Sequence, residues 1–251
     1  MSSFGLALMI FGIVFGGTLA GLLLRRQLPS DHVTDTSRDS LKLAIGLIAT
    51  LASLVLGLVI SSSKSAFDIK TDELEQIAAD VVLLDRNFAA YGPEAGQARL
   101  LLRDLVTAGL DRVWGEDLGR KRTGSVGEEF HALGSAVRSL QPRTDAERGL
   151  QADALRLLTT LDRVRVILRQ QASETSVPTG FLIILVFWLG IVFGGFGLLA
   201  SPNPTVVVAI LIGAACVAGA LFLVLELDSP YGGAIRISDA PLRDALRQLG
   251  R

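Results

Sequence analysis

The sequence predicts an all-α membrane protein, with four transmembrane helices and a cytoplasmic helical bundle formed partly by extensions of spans 2 and 3. Three observations carry that class. Windows at 4–24, 41–60, 179–200 and 205–225 are almost free of charge, and about 20 apolar residues cross a bilayer core of roughly 30 Å. Charged residues make up 20% of the 251-residue chain, but they crowd between those windows, and the mean hydropathy is positive. The stretch between the second and third windows repeats its apolar residues at spacings of three and four, as amphipathic helices do. The expected division is transmembrane helices 1 and 2 over 1–61, a soluble helical domain over 62–177, transmembrane helices 3 and 4 over 178–227, and a C-terminal tail over 228–251.

Composition excludes several functions. A net charge of −1, with no basic run interleaved with aromatics, gives no nucleic-acid surface. Cys216 is the only cysteine, so it has no intrachain disulfide or metal-ligand companion, and it is expected as a small buried hydrophobe. His32 and His131 each stand alone, as a loop residue and a helix residue, so no metal is expected. No HExxH, Cys–His pair or phosphate-cradling glycine loop in context is present, so the chain is not read as an enzyme and no cofactor is expected. A secondary transporter would have more spans and inverted repeats.

The first window starts without Lys or Arg, so it is expected as a retained helix rather than a signal peptide. Its Gly12, Gly16, Gly17 and Gly21 form overlapping GxxxG patterns, which suit close helix contact. A polar loop over 27–40 follows.

The second span runs from Leu41 to Ile60 and then passes into water without a break. No Pro or Gly lies between Gly57 and Gly92, so one helix of about fifty residues is expected. Its membrane half carries Gly46, Thr50, Ser53, Gly57 and Ser61 on one stripe and Leu47, Leu51, Leu54 and Leu58 on another. The small stripe reads either as a face for close helix packing or as the wall of an aqueous path. Its soluble half carries a seam at Leu74, Ile77, Val81, Leu84 and Phe88.

Gly92-Pro93 ends that helix and opens the next. A helix over 95–114 should turn Leu101, Leu102, Leu105, Val106 and Leu110 inward. The basic triplet Arg120-Lys121-Arg122 lies in a polar loop, either solvated or against anionic headgroups. A short helix follows over 128–140. Thr144 to Glu147 resembles a capping box that opens a long helix to 172, with a seam at Leu150, Leu157, Leu161, Val164 and Leu168. Pro178 precedes the third span, and Ser201 to Pro204 is the whole turn into the fourth, which makes the two an antiparallel hairpin.

Near the span ends, Lys64, Lys70, Arg163, Arg165, Arg169, Arg236 and Arg243 fall on the side of the soluble domain, against Arg25, Arg26, Arg38 and Lys42 on the other. That bias places the termini and the soluble domain in the cytoplasm. The fourth span ends in Glu226 and Asp228, followed by Pro230, Tyr231 and Gly232. Carboxylates there need water or a partner. They read as wetted interfacial groups, as an ion-mouth ring, or as partners of a neighbouring helix.

That terminal segment, Glu226-Leu227-Asp228-Ser229-Pro230-Tyr231-Gly232 with Asp239-Ala240-Pro241-Leu242-Arg243-Asp244 after it, resembles the bestrophin signature. Leu56-Gly57-Leu58, then Ser65-Ala66-Phe67-Asp68 and Tyr91-Gly92-Pro93-Glu94, are similar to a family of bacterial membrane proteins described as bestrophin-like. The resemblance implies a bestrophin-like fold and a homopentameric ion channel of the bacterial inner membrane. It implies passage of small inorganic ions, mostly anions such as chloride, along a path lined by span 2, here Thr50, Ser53, Gly57, Ile60 and Ser61. Partners would be further copies of the chain, the bilayer and the ions. The bulky neck residues of bestrophins correspond here to small ones at Ser53, Gly57 and Ser61; a rotation of the helix would bring Leu56 and Ile60 into their place. The acidic calcium cluster of animal bestrophins is missing, so no calcium site is expected. The alternative is a non-conducting membrane scaffold or regulatory protein acting through its helical bundle.

Overall fold

The computed structural model describes residues 3–27, 35–115, 126–171, 179–200 and 203–250, apart from the side chains of 35–38, 126, 168–171 and 179. Among the described residues there is no strand. The helices among the described residues are α1 (Ser3–Gln27), α2 (Asp35–Tyr91), α3 (Gly96–Trp114), α4 (Val126–Ser139), α5 (Asp145–Gln171), α6 (Thr179–Leu199), α7 (Pro204–Leu227) and α8 (Ala240–Gln248), with a 3-10 turn at Pro93–Ala95. Four of them, α1, α2, α6 and α7, are long and apolar enough to cross a membrane. The chain divides into two compact units. The first holds residues 1–67 and 175–236, the second 68–174 and 237–251.

In the first unit α1 packs against α6 and α7. The α1–α6 contact is made by backbone. A Cβ on Gly17 would come within 2.8 Å of the Gly190 carbonyl oxygen, and one on Gly21 within 2.9 Å of the Leu198 nitrogen. A Cβ on Gly197 would stand 3.0 Å from the Thr18 carbonyl carbon. Only glycine permits so close an approach of two helices. Of the glycines that sequence marked on α1, Gly17 and Gly21 make this contact, whereas Gly12 and Gly16 face open space. Ile10, Val14, Leu185, Leu189, Val192, Phe193, Ala214 and Leu221 fill the core around it.

α2 begins at Asp35, inside the stretch expected as loop over 27–40. Residues 28–34, including His32, lie outside the described residues, as do 201–202 of the turn between α6 and α7. At the start of α7, the side chain of Asn203 accepts from the Thr205 N–H (3.1 Å) and Pro204 takes the first turn, where its missing N–H costs nothing. Cys216 is exposed on α7, not buried as expected. In an apolar helix the hydropathy pattern does not mark an inner face.

In the second unit the seam of α2 is buried at Leu74, Val81, Leu84 and Phe88, with Ile77 half-buried and Ala78 buried beside it. α2 ends at Gly92, whose φ of 116° suits glycine, and α3 turns Leu102, Leu105, Val106 and Leu110 inward while Leu101 stays half-buried. The capping box at Thr144 forms: the Glu147 N–H donates to Thr144 Oγ1 (3.1 Å), and the Glu147 carboxylate accepts from the Arg143 N–H (2.6 Å). That bond holds the Glu147 carboxyl below the usual carboxylate range. On α5 the buried residues are Ala154, Leu158 and Leu161; Leu150, Leu157 and Val164 are half-buried, and the side chain of Leu168 is outside the described residues. Leu161 is thus buried as expected, while one turn earlier Leu158 takes the place expected for Leu157. Gln151 of α5 caps the end of α4, donating to Val137 O and Leu140 O (both 2.9 Å). Arg165 stacks over Phe130, 5.0 Å from the ring centre. Residues 116–125, with the triplet Arg120 to Arg122, and 172–178, where α5 would continue into the third span, lie outside the described residues.

A charge sits inside this bundle. Asp85 is buried on α2 and takes a two-pronged contact from Arg99 of α3, Nε to Oδ1 at 2.7 Å and Nη2 to Oδ2 at 2.8 Å. The backbone N–H of Gly250, just past α8, donates to Oδ2 at 3.3 Å. Trp114 Nε1 donates to Ile237 O (3.0 Å), and Leu242, Ala245 and Leu249 are buried. The C-terminal segment is thus bonded into the second unit at both of its ends.

Candidate pore face and the carboxylate after the fourth span

The membrane half of α2 divides into an inner and an outer face. Inside are Ile45, Ala52 and Val59, each seven residues from the last, which returns nearly to the same side of a helix. Ile45 fits where α6 has Gly195: a Cβ there would lie 2.7 Å from Ile45 Cγ1. Val59 packs with Val224 of α7.

The outer face carries the small stripe. Gly46, Thr50, Ser53, Gly57 and Ser61 are all exposed within the subunit, and nothing lies within 4 Å of a Cβ placed on Gly46 or Gly57. The hydroxyls turn back on the helix. Thr50 Oγ1 donates to Gly46 O (2.9 Å) and Ser53 Oγ donates to Ala49 O (2.8 Å). With those protons donated inward, the oxygens offer lone pairs outward. The second stripe, Leu47, Leu51, Leu54 and Leu58, is exposed beside the first.

Ile60, placed with the stripe in the sequence, is half-buried against the Val59–Val224 contact, and Leu56 packs on the main core. Turning α2 so that Leu56 and Ile60 replaced the small residues would take both out of packing they now make. Between those two and the small residues, it is the small ones that are left exposed within the subunit.

Glu226 is not the wetted interfacial group its position suggests. It is buried at the end of α7, only 4% exposed, and its Oε2 accepts from the N–H of Ala234 (2.5 Å) and of Ile235 (3.2 Å). The chain returns through a turn in which the Ser229 N–H donates to Glu226 O (3.0 Å) and the Gly232 N–H to Ser229 O (3.2 Å). Gly233 has a φ of 117°, and a Cβ on it would lie 2.5 Å from the same Oε2. Two charge-assisted bonds hold a carboxylate that would otherwise be costly to bury. Asp228 caps α7 through its own N–H, Pro230 is buried, Tyr231 half-buried and Gly232 exposed. The motif residues 226–232 are thus brought into one turn. The Val59–Val224 contact puts that turn near the level of Ile60 and Ser61 on α2. Among the described residues no group of three or more His, Cys, Asp or Glu could hold a metal ion.

Sequence reasoning named Glu226 and Arg25 without their surroundings and did not name Asp85. The signal for Glu226 as a loop staple was present, in an acid six residues before a Gly-Gly pair and an apolar stretch. Asp85 was visible as a charge beside the seam, but its partner was not. Arg25 at the end of α1 is half-buried, with Nη1 closed off from solvent.

The architecture is that of a four-span, all-helical membrane protein whose second span leaves a small-residue face uncovered. A family model described as a bestrophin-like domain matches residues 12–242, and the chain belongs to the bestrophin-like family. Its fold is similar to that of one point variant of a bacterial bestrophin homologue from Klebsiella pneumoniae, with a TM-score of 0.67 at 16% identity, over 96% of this chain and 97% of that one. A second structure of a bestrophin homologue from that organism, phased on zinc, gives 0.67 at 16% over 96% of each chain. A point variant gives 0.67 at 17% over 97% of each. Among curated proteins none matches.

Proposed function

We propose that this protein is one subunit of an oligomeric ion channel of the bestrophin type, with Thr50, Ser53, Gly57 and Ser61 lining an axial path. One observation carries the reading: the small-residue stripe of α2 is exposed within the subunit while the opposite face of the same helix is packed into the core. A stripe whose purpose was packing within the subunit would be covered by α1, α6 or α7. Ile60 belongs to this proposal only at the margin of the path.

The residues 1–61 and 178–227 are proposed as the membrane part, and 62–177 and 228–251 as the part in water, facing the cytoplasm with both termini. The excess of Lys and Arg near those span ends supports that side. The family resemblance supports a homopentamer of the inner membrane and anions as the permeant class. One observation favours the opposite sign of ion. The hydroxyl protons of Thr50 and Ser53 are donated to the backbone, so the stripe presents acceptors, which suit cations.

Native mass spectrometry of the detergent-extracted protein tests the assembly, and flux into liposomes tests conduction. A closed ring that conducts supports the channel. A persistent monomer or dimer overturns the axial path and leaves a membrane scaffold acting through the second unit. In a salt gradient the sign of the reversal potential decides between anions and cations.

A further inference from the structure

The pore reading leaves one built feature unused. At the end of α1, against the start of α7, lies a cavity of about 620 Å³ lined by Leu22, Arg25, Arg26, Asn203, Val207 and Val208. Its lining is of two kinds, cationic or hydrogen-donating at one part and aliphatic at the other. Arg25 Nη1 is shut away from solvent and has no hydrogen-bond partner among the described residues. A guanidinium nitrogen has only hydrogens to give, and leaving it buried without an acceptor is costly. Asn203 has its side-chain oxygen occupied by the Thr205 N–H, which leaves the amide hydrogens to offer. The Val206 and Val207 N–H groups both donate to Asn203 O (3.0 and 3.2 Å), so α7 adds the positive end of its dipole rather than free donors. The two arginines call for a negatively charged acceptor, and the Asn203 amide for any acceptor. Leu22, Val207 and Val208 call for hydrocarbon. α1 ends and α7 begins here, at the edge of spans whose length matches a bilayer, which is where headgroups lie.

We propose that this cavity binds the phosphate of an anionic membrane lipid, with Arg25 and Arg26 on the phosphate oxygens and an acyl chain along Leu22, Val207 and Val208. The ligand class is set by the pairing of the two linings. A free phosphate would satisfy the arginines and leave the aliphatic part to water.

The test is native mass spectrometry of the full chain, titrated separately with phosphatidylglycerol, phosphatidylcholine and inorganic phosphate. The expected result is at least about tenfold tighter binding of phosphatidylglycerol than of phosphatidylcholine, the scale set by two basic residues at a membrane surface. Arg25→Gln with Arg26→Gln should abolish that preference. Val207→Trp, which fills the cavity and keeps both arginines, should also lower phosphatidylglycerol binding, and it decides the matter alone if the double variant does not fold. Equal binding of the two lipids by the unmodified protein overturns the proposal, as does a preference that survives both variants. Displacement of phosphatidylglycerol by equimolar inorganic phosphate overturns the lipid and makes this a site for the free ion.

Discussion

Glu226 and Gly233 depend on each other. The carboxylate of Glu226 reaches the N–H groups of Ala234 and Ile235 because residue 233 has no side chain in its way and adopts a φ of 117°. The acid is therefore a fastener for the turn after α7. That role has a direct test. Glu226→Ala should lower stability by roughly 1–3 kcal/mol, the cost of leaving buried donors unpaired. Gly233→Ala should lower it as well, through both the backbone conformation and the clash. Thermal melting in detergent reads both. A Glu226→Ala variant that melts like the unmodified protein but conducts differently would return this residue to the mouth of the path.

For the stripe on α2, size should matter and the hydroxyl proton should not. Ser53→Phe or Gly57→Phe is expected to abolish or strongly reduce flux in liposomes. Ser53→Ala removes a proton already donated to Ala49 O and should leave flux within about twofold. Normal conduction by the phenylalanine variants would show that this face does not line the path.

The Asp85–Arg99 pair should make the second unit acid-sensitive. The hydrogen bonds from Arg99 hold the Asp85 carboxyl below its ordinary value. A depressed pKa contributes stability that is present above the unfolded value, near 3.9, and is lost as pH falls through the folded value. Asp85→Asn should therefore cost roughly 3 kcal/mol at neutral pH, as removal of one partner of a buried pair does. The melting curves of variant and unmodified protein should converge as pH falls below about 4. A gap that stays constant into acid would mean that the charge does not contribute.

The glycines of α1 should divide sharply. Gly21→Ala puts a methyl group on the backbone of α6 at Gly194 and should lower the melting temperature or prevent assembly of the first unit. Gly12→Ala meets nothing within 4 Å inside the subunit and should be close to neutral in the melting of the subunit. Equal effects at the two positions would contradict the α1–α6 contact.

The parts legible in the sequence were those with a contrast to read. Residues between Gly57 and Gly92 offer no breaker, and α2 runs unbroken from Asp35 to Tyr91. Thr144 and Glu147 have the spacing of a capping box, and their hydrogen bonds form. Contrast fails inside the membrane spans, where every side of the helix is apolar, so nothing marked Cys216 as exposed or chose between Gly12 and Gly17. It fails again at Leu157 and Leu158, neighbours of equal hydrophobicity, of which the second is buried. The small stripe at Ser53 and Gly57 was plain from spacing, but its freedom from contact within the subunit depends on Ile45 and Val59 taking the other face. The partners of Glu226 and Asp85 are backbone N–H groups and an arginine that a pattern of residue types does not pair.

The contact between Gly17 and Gly190 also fixes an order of events. The two residues are about 170 positions apart in the chain. At roughly 5–20 residues per second of synthesis, α1 stands in the bilayer for something like ten to thirty seconds before α6 exists to meet it. Throughout that interval its glycine face is turned to lipid or to α2 alone, and any other small-faced helix nearby is a competitor. The groove that fits α6 so closely is thus a vacancy during biogenesis, and the newborn chain is most open to mispairing while its second unit is being made.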